Sequence, residues 1–170
     1  MNRYQASFMK KADYFFGQKE LVFIVYLHDA EDRERLDHVV FLEKVDGEVT
    51  GLYIRGMNPL LSGHRIEELD DFNLFDRYDG LEECKEEIQL NIESISLFFS
   101  SQYNELRGIF LSNSHESTSL FLAFLQDEMI VEKNLGLPQT VGWLEKRFSK
   151  EGVVAYEKRT GGAWERACYT

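Results

Sequence analysis

Short apolar runs near the start of the chain predict strands. Residues 21–27 are rich in β-branched and aromatic side chains, which is typical of a buried strand. Residues 38–44 and 48–54 flank Asp46-Gly47, and an Asp-Gly pair between two apolar runs is a strong hairpin signal. The preceding segment, residues 4–16, fits either a strand or a helix.

A helical spacing dominates the middle of the chain. Asp79 and, three residues later, Glu82 fit an N-cap with its capping-box partner. Apolar side chains then recur at helical intervals, at Leu81, Cys84, Ile88, Ile92, Ile95 and Phe99. This pattern predicts a helix from residue 79 to residue 99.

A second helix is predicted between Asn113 and Val131. Asn113 and Glu116 fit another capping pair, and residues 120–125 are apolar without a break. A helix that is apolar on all sides is typical of a central, buried element. Residues 107–111, between the two predicted helices, fit a strand.

The last forty residues predict a short helix and a hairpin. The helix begins near Pro138, ends at Gly152 and carries one apolar face, formed by Val141, Leu144 and Phe148. Residues 153–158 and 163–169 then bracket Gly161-Gly162, which indicates a hairpin. The expected fold is α+β, a single domain over residues 1–170, with antiparallel strands at both ends and two or three helices between them.

Charge changes this picture more than composition does. The 170 residues include 30 acidic and 19 basic side chains, which leaves a net charge of −11. Such a surface repels nucleic-acid phosphates and attracts basic proteins, and it also keeps a protein soluble. We therefore expect a basic protein partner rather than a nucleic acid.

The acid is concentrated in residues 66–93, where eleven acidic side chains accompany two basic ones. On a helix, Glu82/Glu86 and Glu83/Glu87 would be like-charged neighbours, which mildly destabilise it. Interleaved aromatic residues are the kind of anchor that interfaces use. We interpret this segment as a partner-binding surface, the alternative being a solvated helix face; its candidate residues are Glu67, Glu68, Asp70, Asp71, Phe72, Phe75, Asp76, Tyr78, Asp79, Glu82, Glu83, Glu86 and Glu87.

Metal and cofactor sites are not predicted. Asp71, Asn73 and Glu82 match three positions of a calcium loop, but Phe75 and Asp76 occupy positions that require an oxygen ligand and a glycine. No metal-ligand spacing, nucleophile motif or phosphate-binding glycine loop occurs. The four histidines, His28, His38, His64 and His115, stand apart from one another in the sequence.

The two cysteines are expected to be free thiols. Cys84 lies on the apolar face of the predicted middle helix and is interpreted as core packing. Cys168 lies near the end of the chain, and two cysteines in 170 residues do not make a disulfide framework. With no secretory signal in the first residues and no apolar run near 20 residues, we expect a cytoplasmic protein without a membrane partner.

The C-terminal region is basic, with seven bases and four acids in residues 133–170. A helix followed by a hairpin in residues 139–170 loosely resembles the recognition helix and wing of a nucleic-acid binder. The alternative is that this basic end pairs with the acidic middle, within one chain or between two copies.

These observations favour an acidic protein-binding module. By analogy in kind, we expect an inhibitor or immunity protein that neutralises a basic partner such as a nuclease toxin. The alternative is a small intracellular enzyme whose site combines scattered carboxylates with one histidine. Winged-helix-like binding of a nucleic acid is a third, less favoured hypothesis.

Overall fold

The structure, a computed structural model, describes residues 1–63, 68–69, 72–73 and 80–169, with the backbone alone described at 68–69 and 72–73. These residues form two helices and thirteen strands. In chain order they are α1 (Arg3–Phe16), β1 (Glu20–Asp29), β2 (Arg35–Lys44), β3 (Val49–Arg55), β4 (Asn58–Ser62), β5 (Glu68–Leu69), β6 (Phe72–Asn73), β7 (Leu81–Asn91), β8 (Ser94–Ser100), β9 (Leu106–Ser112), β10 (Ser119–Leu125), β11 (Glu128–Lys133), α2 (Leu137–Arg147), β12 (Val153–Arg159) and β13 (Glu165–Ala167).

The strands form two large antiparallel sheets. Sheet 1 has the order β4-β3-β2-β1-β7, and sheet 2 has the order β11-β10-β9-β8-β12-β13, while β5 and β6 pair with each other. The expected antiparallel strands at both ends of the chain are therefore present. The α+β expectation needs correction, because the middle of the chain is also strand and the described structure is mostly β.

One apolar layer lies between the two sheets. It combines buried side chains of β1, β2, β3 and β7 with those of β8, β9 and β10. The helix α1 adds Phe8, Met9, Ala12 and Phe16 to this layer. Residues 4–16, which fitted strand or helix, are helical; Asn2 and Gln5 form a reciprocal capping box at the start of α1.

Each sheet also has a buried second face. The helix α2 packs Val141, Leu144 and Phe148 against the outer face of sheet 2. The outer face of sheet 1 carries a third apolar cluster, which includes Val25 and Phe41. Both faces of both sheets are therefore apolar over much of their area.

Several sequence predictions are confirmed. The strand at residues 21–27 is part of β1, and β2 and β3 form the hairpin at Asp46-Gly47, where Gly47 has a φ of +88°. Residues 107–111 lie in β9, the predicted C-terminal helix is α2, and β12 pairs with β13 across Gly161-Gly162.

The helix predicted over residues 79–99 is wrong. Residues 81–91 and 94–100 form β7 and β8, which belong to different sheets and are joined by a short corner. The same apolar residues also fit an alternation of two, since Ile88 and Leu90 share one face of β7 and Ile95, Leu97 and Phe99 share one face of β8. Asp79, the proposed N-cap, lies outside the described residues.

The helix predicted over residues 113–131 is also wrong. This segment contains the hairpin of β10 and β11. Asn113 lies in the turn before β10, where its side-chain amide donates a hydrogen bond to the Ser117 hydroxyl. Residues 120–125 alternate between the layer shared by the sheets and the cluster under α2. A strand covered on both faces is apolar throughout, and its sequence therefore resembles that of a buried helix.

A buried arginine fixes the end of α2 to sheet 2. Arg107 on β9 is 1% exposed. Its guanidinium donates to Glu151 at 3.0 and 3.2 Å and to Glu105 at 3.0 Å, and it lies 5.5 Å from the Phe148 ring centre. Glu151 follows α2, so these bonds connect the end of that helix to the sheet beneath it.

Replacing Arg107 should therefore be costly. We expect Arg107→Met to lower the free energy of unfolding by about 3 kcal/mol, because it leaves the mostly buried Glu151 carboxylate without its partner. Arg159→Met is the matched control, since Arg159 is 81% exposed and its ion pair with Glu157 is worth at most about 1 kcal/mol. Urea unfolding measures both values, and equal stabilities for the two variants would contradict this role of Arg107.

Candidate partner-binding surface

The described part of the acidic segment lies mainly on β7, at one edge of sheet 1. Within the described residues, β7 pairs only with β1, in unbroken register from Leu81 opposite Asp29 to Glu87 opposite Phe23. Near its end, Ile88 and Leu90 are buried in the layer between the sheets. Residues 82–87 carry no large apolar side chain and lie at the margin of that layer, since Ile24 and Tyr26 of β1, opposite Glu86 and Cys84, belong to it.

The strand divides its acidic side chains between two faces. Cys84 pairs with Tyr26, so even-numbered side chains lie on the side of sheet 1 that faces sheet 2. Lys85 pairs with Val25, so odd-numbered side chains lie on the outer side. Glu82 and Glu86 therefore occupy one face, and Glu83 and Glu87 the other.

This arrangement corrects the predicted charge pairs. Residues four apart on a strand are about 13 Å apart, whereas on a helix they are neighbours. The repulsion expected within Glu82/Glu86 and Glu83/Glu87 is therefore weak. The fold does not need to compensate for it, and it cannot serve as an argument for function.

The prediction for Cys84 is wrong in its location. Cys84 is exposed on β7, between two glutamates of the same face, and does not pack in the core. Cys168 is exposed as well, and the structure gives both residues as free thiols.

Glu86 is held by groups from both sheets. Its carboxylate lies 2.7 Å from the Lys133 ammonium at the end of β11, and its charge acts on the neighbouring Tyr26 phenol. Burial raises the pKa of Tyr26 to about 12, the Glu86 carboxylate adds to the rise, and the Arg35 guanidinium, 4.7 Å from the Tyr26 ring, opposes it. Lys133 Nζ also lies 3.4 Å from the backbone carbonyl oxygen of Glu87.

The single basic residue of β7 points away from the strand edge. Lys85 passes over the Phe23 ring at 5.2 Å and binds both carboxylate oxygens of Glu43, at 2.9 and 3.1 Å. Its charge is therefore used on the outer face of sheet 1. The exposed side chains of Glu82 and Glu87 remain as acidic groups at the edge.

One acid of the segment is structural. Glu93, in the corner between β7 and β8, accepts hydrogen bonds from Ser114, and these bonds hold the pKa of its carboxyl below the usual range. Its backbone carbonyl also accepts from the amide and hydroxyl of Thr160, at 2.8 and 3.1 Å. Glu93 thus joins the corner to two turns of sheet 2.

The other predicted surface residues lie outside the region whose side chains are described. Glu68 and Phe72 belong to β5 and β6, of which only the backbone is described. The rest of this group are Glu67, Asp70, Asp71, Phe75, Asp76, Tyr78 and Asp79. Their part in the surface stays a prediction.

Two adjoining clefts could hold a small substrate, as the enzyme hypothesis requires. One, of about 330 Å³, lies between the end of α1 and the β12–β13 turn; the other, of about 240 Å³, shares Glu93, Arg159 and Thr160 with it. No histidine lines either cleft. The lowered pKa of Glu93 is the opposite of what a general acid needs. Among the described residues, no group of three or more His, Cys, Asp or Glu side chains is placed to hold a metal ion.

The basic C-terminal region meets the described acidic segment through Lys133, which pairs with Glu86. Lys158 instead binds Asp13 of α1 at 2.9 Å, and Trp164 Nε1 donates to the same carboxylate at 3.1 Å. The helix α2 follows a strand, whereas the recognition helix of a helix-turn-helix follows another helix. The geometry therefore does not favour the nucleic-acid hypothesis.

Comparison of the chain with protein-family models, with curated proteins and with solved structures gives no match. The functional argument therefore depends on the geometry of the described residues. Within these residues, no helix has the length and apolar character needed to cross a membrane.

The contact between Tyr26 and Glu86 has a measurable effect. We expect Glu86→Gln to lower the pKa of Tyr26 from about 12, because a neighbouring negative charge is removed, while burial keeps it above about 10. Resolved tyrosine ring signals in an NMR titration give this pKa. Glu82→Gln is the control, as Glu82 is on the same face but is not among the groups that shift Tyr26.

The sign of the linked stability change follows from the same shift. A raised pKa means that the neutral phenol stabilises the fold fully below pH 10, and that this contribution is lost as the pH rises through about 12. An unchanged Tyr26 pKa in Glu86→Gln would contradict the contact.

Proposed function

We propose that this protein is an acidic binding module that captures a basic protein, as an inhibitor or immunity protein captures a nuclease toxin, and that β7 is central to the surface it uses. The observation that carries the proposal is the acidic half of β7, residues 82–87, which lies at an edge of sheet 1, beside the apolar layer. Four of these six residues are glutamates.

The electrostatics of this edge support the proposal. The whole chain carries −11, so a basic partner is attracted from a distance, and the attraction weakens as salt shortens the Debye length. At contact, Glu82 and Glu87 offer exposed carboxylates. The bond between Lys133 and Glu86 is an example within the chain of a lysine bound at this edge.

Complementary charge raises the association rate and orients the partner more than it raises the binding affinity. Buried aromatic side chains usually provide the larger share of binding energy. Phe72, Phe75 and Tyr78, from the segment that leads into β7, are the aromatic anchors that the proposal includes.

The proposal is tested by charge reversal. A variant with Glu82, Glu83, Glu86 and Glu87 changed to Lys should lose a basic partner that the wild type retains from a lysate of the native host. With the purified partner, the wild type should show an association rate that falls steeply with salt, and the variant should not. Circular dichroism verifies that the variant keeps its β-sheet content.

A matched control separates the effect of where the charges lie from the effect of the net charge. Glu116, Glu128, Glu145 and Glu165 are exposed and none of them lies in sheet 1, so changing these four to Lys alters the net charge equally. This control should keep the partner with a modest loss of rate. If the β7 variant keeps the partner with unchanged affinity and salt dependence, β7 is a solvated edge and the proposal is wrong.

A further inference from the structure

The outer face of sheet 2, which α2 covers, becomes polar where that helix begins. Beneath α2 the strands place large apolar side chains on this face, among them Phe98 and Phe121. Further along the same face, Ser94 of β8 lies opposite Ser112 of β9. Ser112 in turn lies opposite Ser119 of β10, so the three serine side chains form a row across three strands.

Small side chains at this place leave a cleft in the outer face. The cleft has a volume of about 240 Å³, and Ser94, Ser96 and Ser112 line it. Leu137, the first residue of α2, and Arg159, which lies opposite Ser94 on β12, line it as well. Larger apolar side chains in place of the serines would fill this space and stabilise the fold, so packing alone does not require the cleft.

Two neighbouring serines of the row use their hydroxyls differently. Both residues are buried, Ser112 at 1% exposure and Ser119 at 0%. The Ser119 hydroxyl donates a hydrogen bond to the Leu135 carbonyl at 2.7 Å, within the fold. The Ser112 hydroxyl has no hydrogen-bond partner among the residues that the structure describes, and Ser112 lines the cleft. Its donor and its acceptor sites are therefore available to a ligand.

The charged groups around the cleft favour a neutral ligand. The Glu157 carboxylate accepts a hydrogen bond from the Tyr169 phenol at 3.0 Å and lies 3.5 Å from Arg159 Nε. The Glu93 carboxylate accepts one from the backbone of the turn after β9. An anion would meet the carboxylates of Glu93, Glu116 and Glu157, and a cation would meet the Arg159 guanidinium. A neutral ligand with its own donors and acceptors meets neither repulsion.

We propose that this cleft binds a neutral polyhydroxylated ring, the chemistry that a monosaccharide unit presents. Each hydroxyl of such a ring donates and accepts, as the hydroxyls of Ser94 and Ser112 do, so the two sets can pair in either direction. Arg159 supplies further donors, Glu116 further acceptors, and Leu137 an apolar contact for the C–H groups of the ring. Clefts for drug-sized ligands measure about 300–1,000 Å³, so this smaller one suits a single ring.

The proposed site lies on sheet 2 and goes beyond the function proposed for β7. Neither proposal depends on the other. The variant with four lysines on β7 should therefore bind the ring as the wild type does, and this comparison keeps the two tests separate.

Titration with neutral methyl glycosides tests the proposal. The probes are the methyl α-glycosides of D-glucose, D-galactose and D-mannose, each added to isotope-labelled protein up to about 50 mM, because a ligand of this size binds with a Kd of about 1–10 mM. At least one of them should give saturable shifts in the NMR signals of the Ser94, Ser112 and Thr160 amides. Sodium acetate and n-butylammonium chloride, as charged probes of small size, should not.

Two matched variants separate binding from folding. Ser112→Ala should weaken glycoside binding at least about threefold and leave the melting temperature unchanged or higher, because the hydroxyl that it removes bonds to no described residue. Ser119→Ala should keep the binding and lower the melting temperature, because the Leu135 carbonyl loses its donor.

The opposite results would overturn the proposal. If none of the three glycosides gives saturable shifts at the cleft, or if acetate or n-butylammonium does so instead, the ligand class is wrong. If Ser112→Ala binds the glycoside as the wild type does, or lowers the melting temperature as much as Ser119→Ala, the Ser112 hydroxyl does not serve a ligand.

Discussion

Packing of one apolar layer between the two sheets determines where each strand is covered and where it is exposed. Ile88 and Leu90 belong to this layer, whereas residues 82–87 of the same strand lie at its margin and carry no large apolar side chain. The corner at Glu93, fixed by bonds to Ser112, Ser114 and Thr160, then carries the chain from sheet 1 into sheet 2. β7 is thus anchored at its C-terminal end, and its acidic half is held in sheet 1 by its pairing with β1.

An exposed edge requires a means of preventing association with other strands. Charged side chains are one such means, and lysine is the residue most used for it. β7 uses glutamate, and its single lysine is directed across the outer face toward Glu43. An acidic edge also attracts a basic partner, so the same residues can provide both protection and selectivity.

Local signals in the sequence were sufficient for elements with a distinct turn or cap. Asp46-Gly47 predicted the first hairpin, Pro138 the start region of α2, and Gly161-Gly162 the last hairpin. The spacing of apolar residues predicted helices in place of strands where both faces of a sheet are buried. Residues 120–125 are apolar throughout because alternate side chains enter two different cores, which the sequence does not distinguish from a buried helix.

The candidate surface could be predicted in composition but not in geometry. The concentration of acid in residues 66–93 is visible in the sequence, and four of its glutamates lie on β7. Their division between two faces follows from strand geometry. The predicted helix did not give this division. The alternation of Ile88, Leu90 and Ile92 was the signal that could have indicated a strand. The pairing of Glu86 with Lys133 depends on contact between sheets and has no local signal.

Amide hydrogen exchange in the free protein tests most directly whether the acidic half of β7 is held in sheet 1. The account predicts that the amides of Cys84 and Glu86, which face β1, exchange slowly, as amides in paired strands do. Exchange of both amides as fast as in exposed turns would show that residues 82–87 do not pair with β1. The partner-binding surface would then lack the geometry on which the account depends.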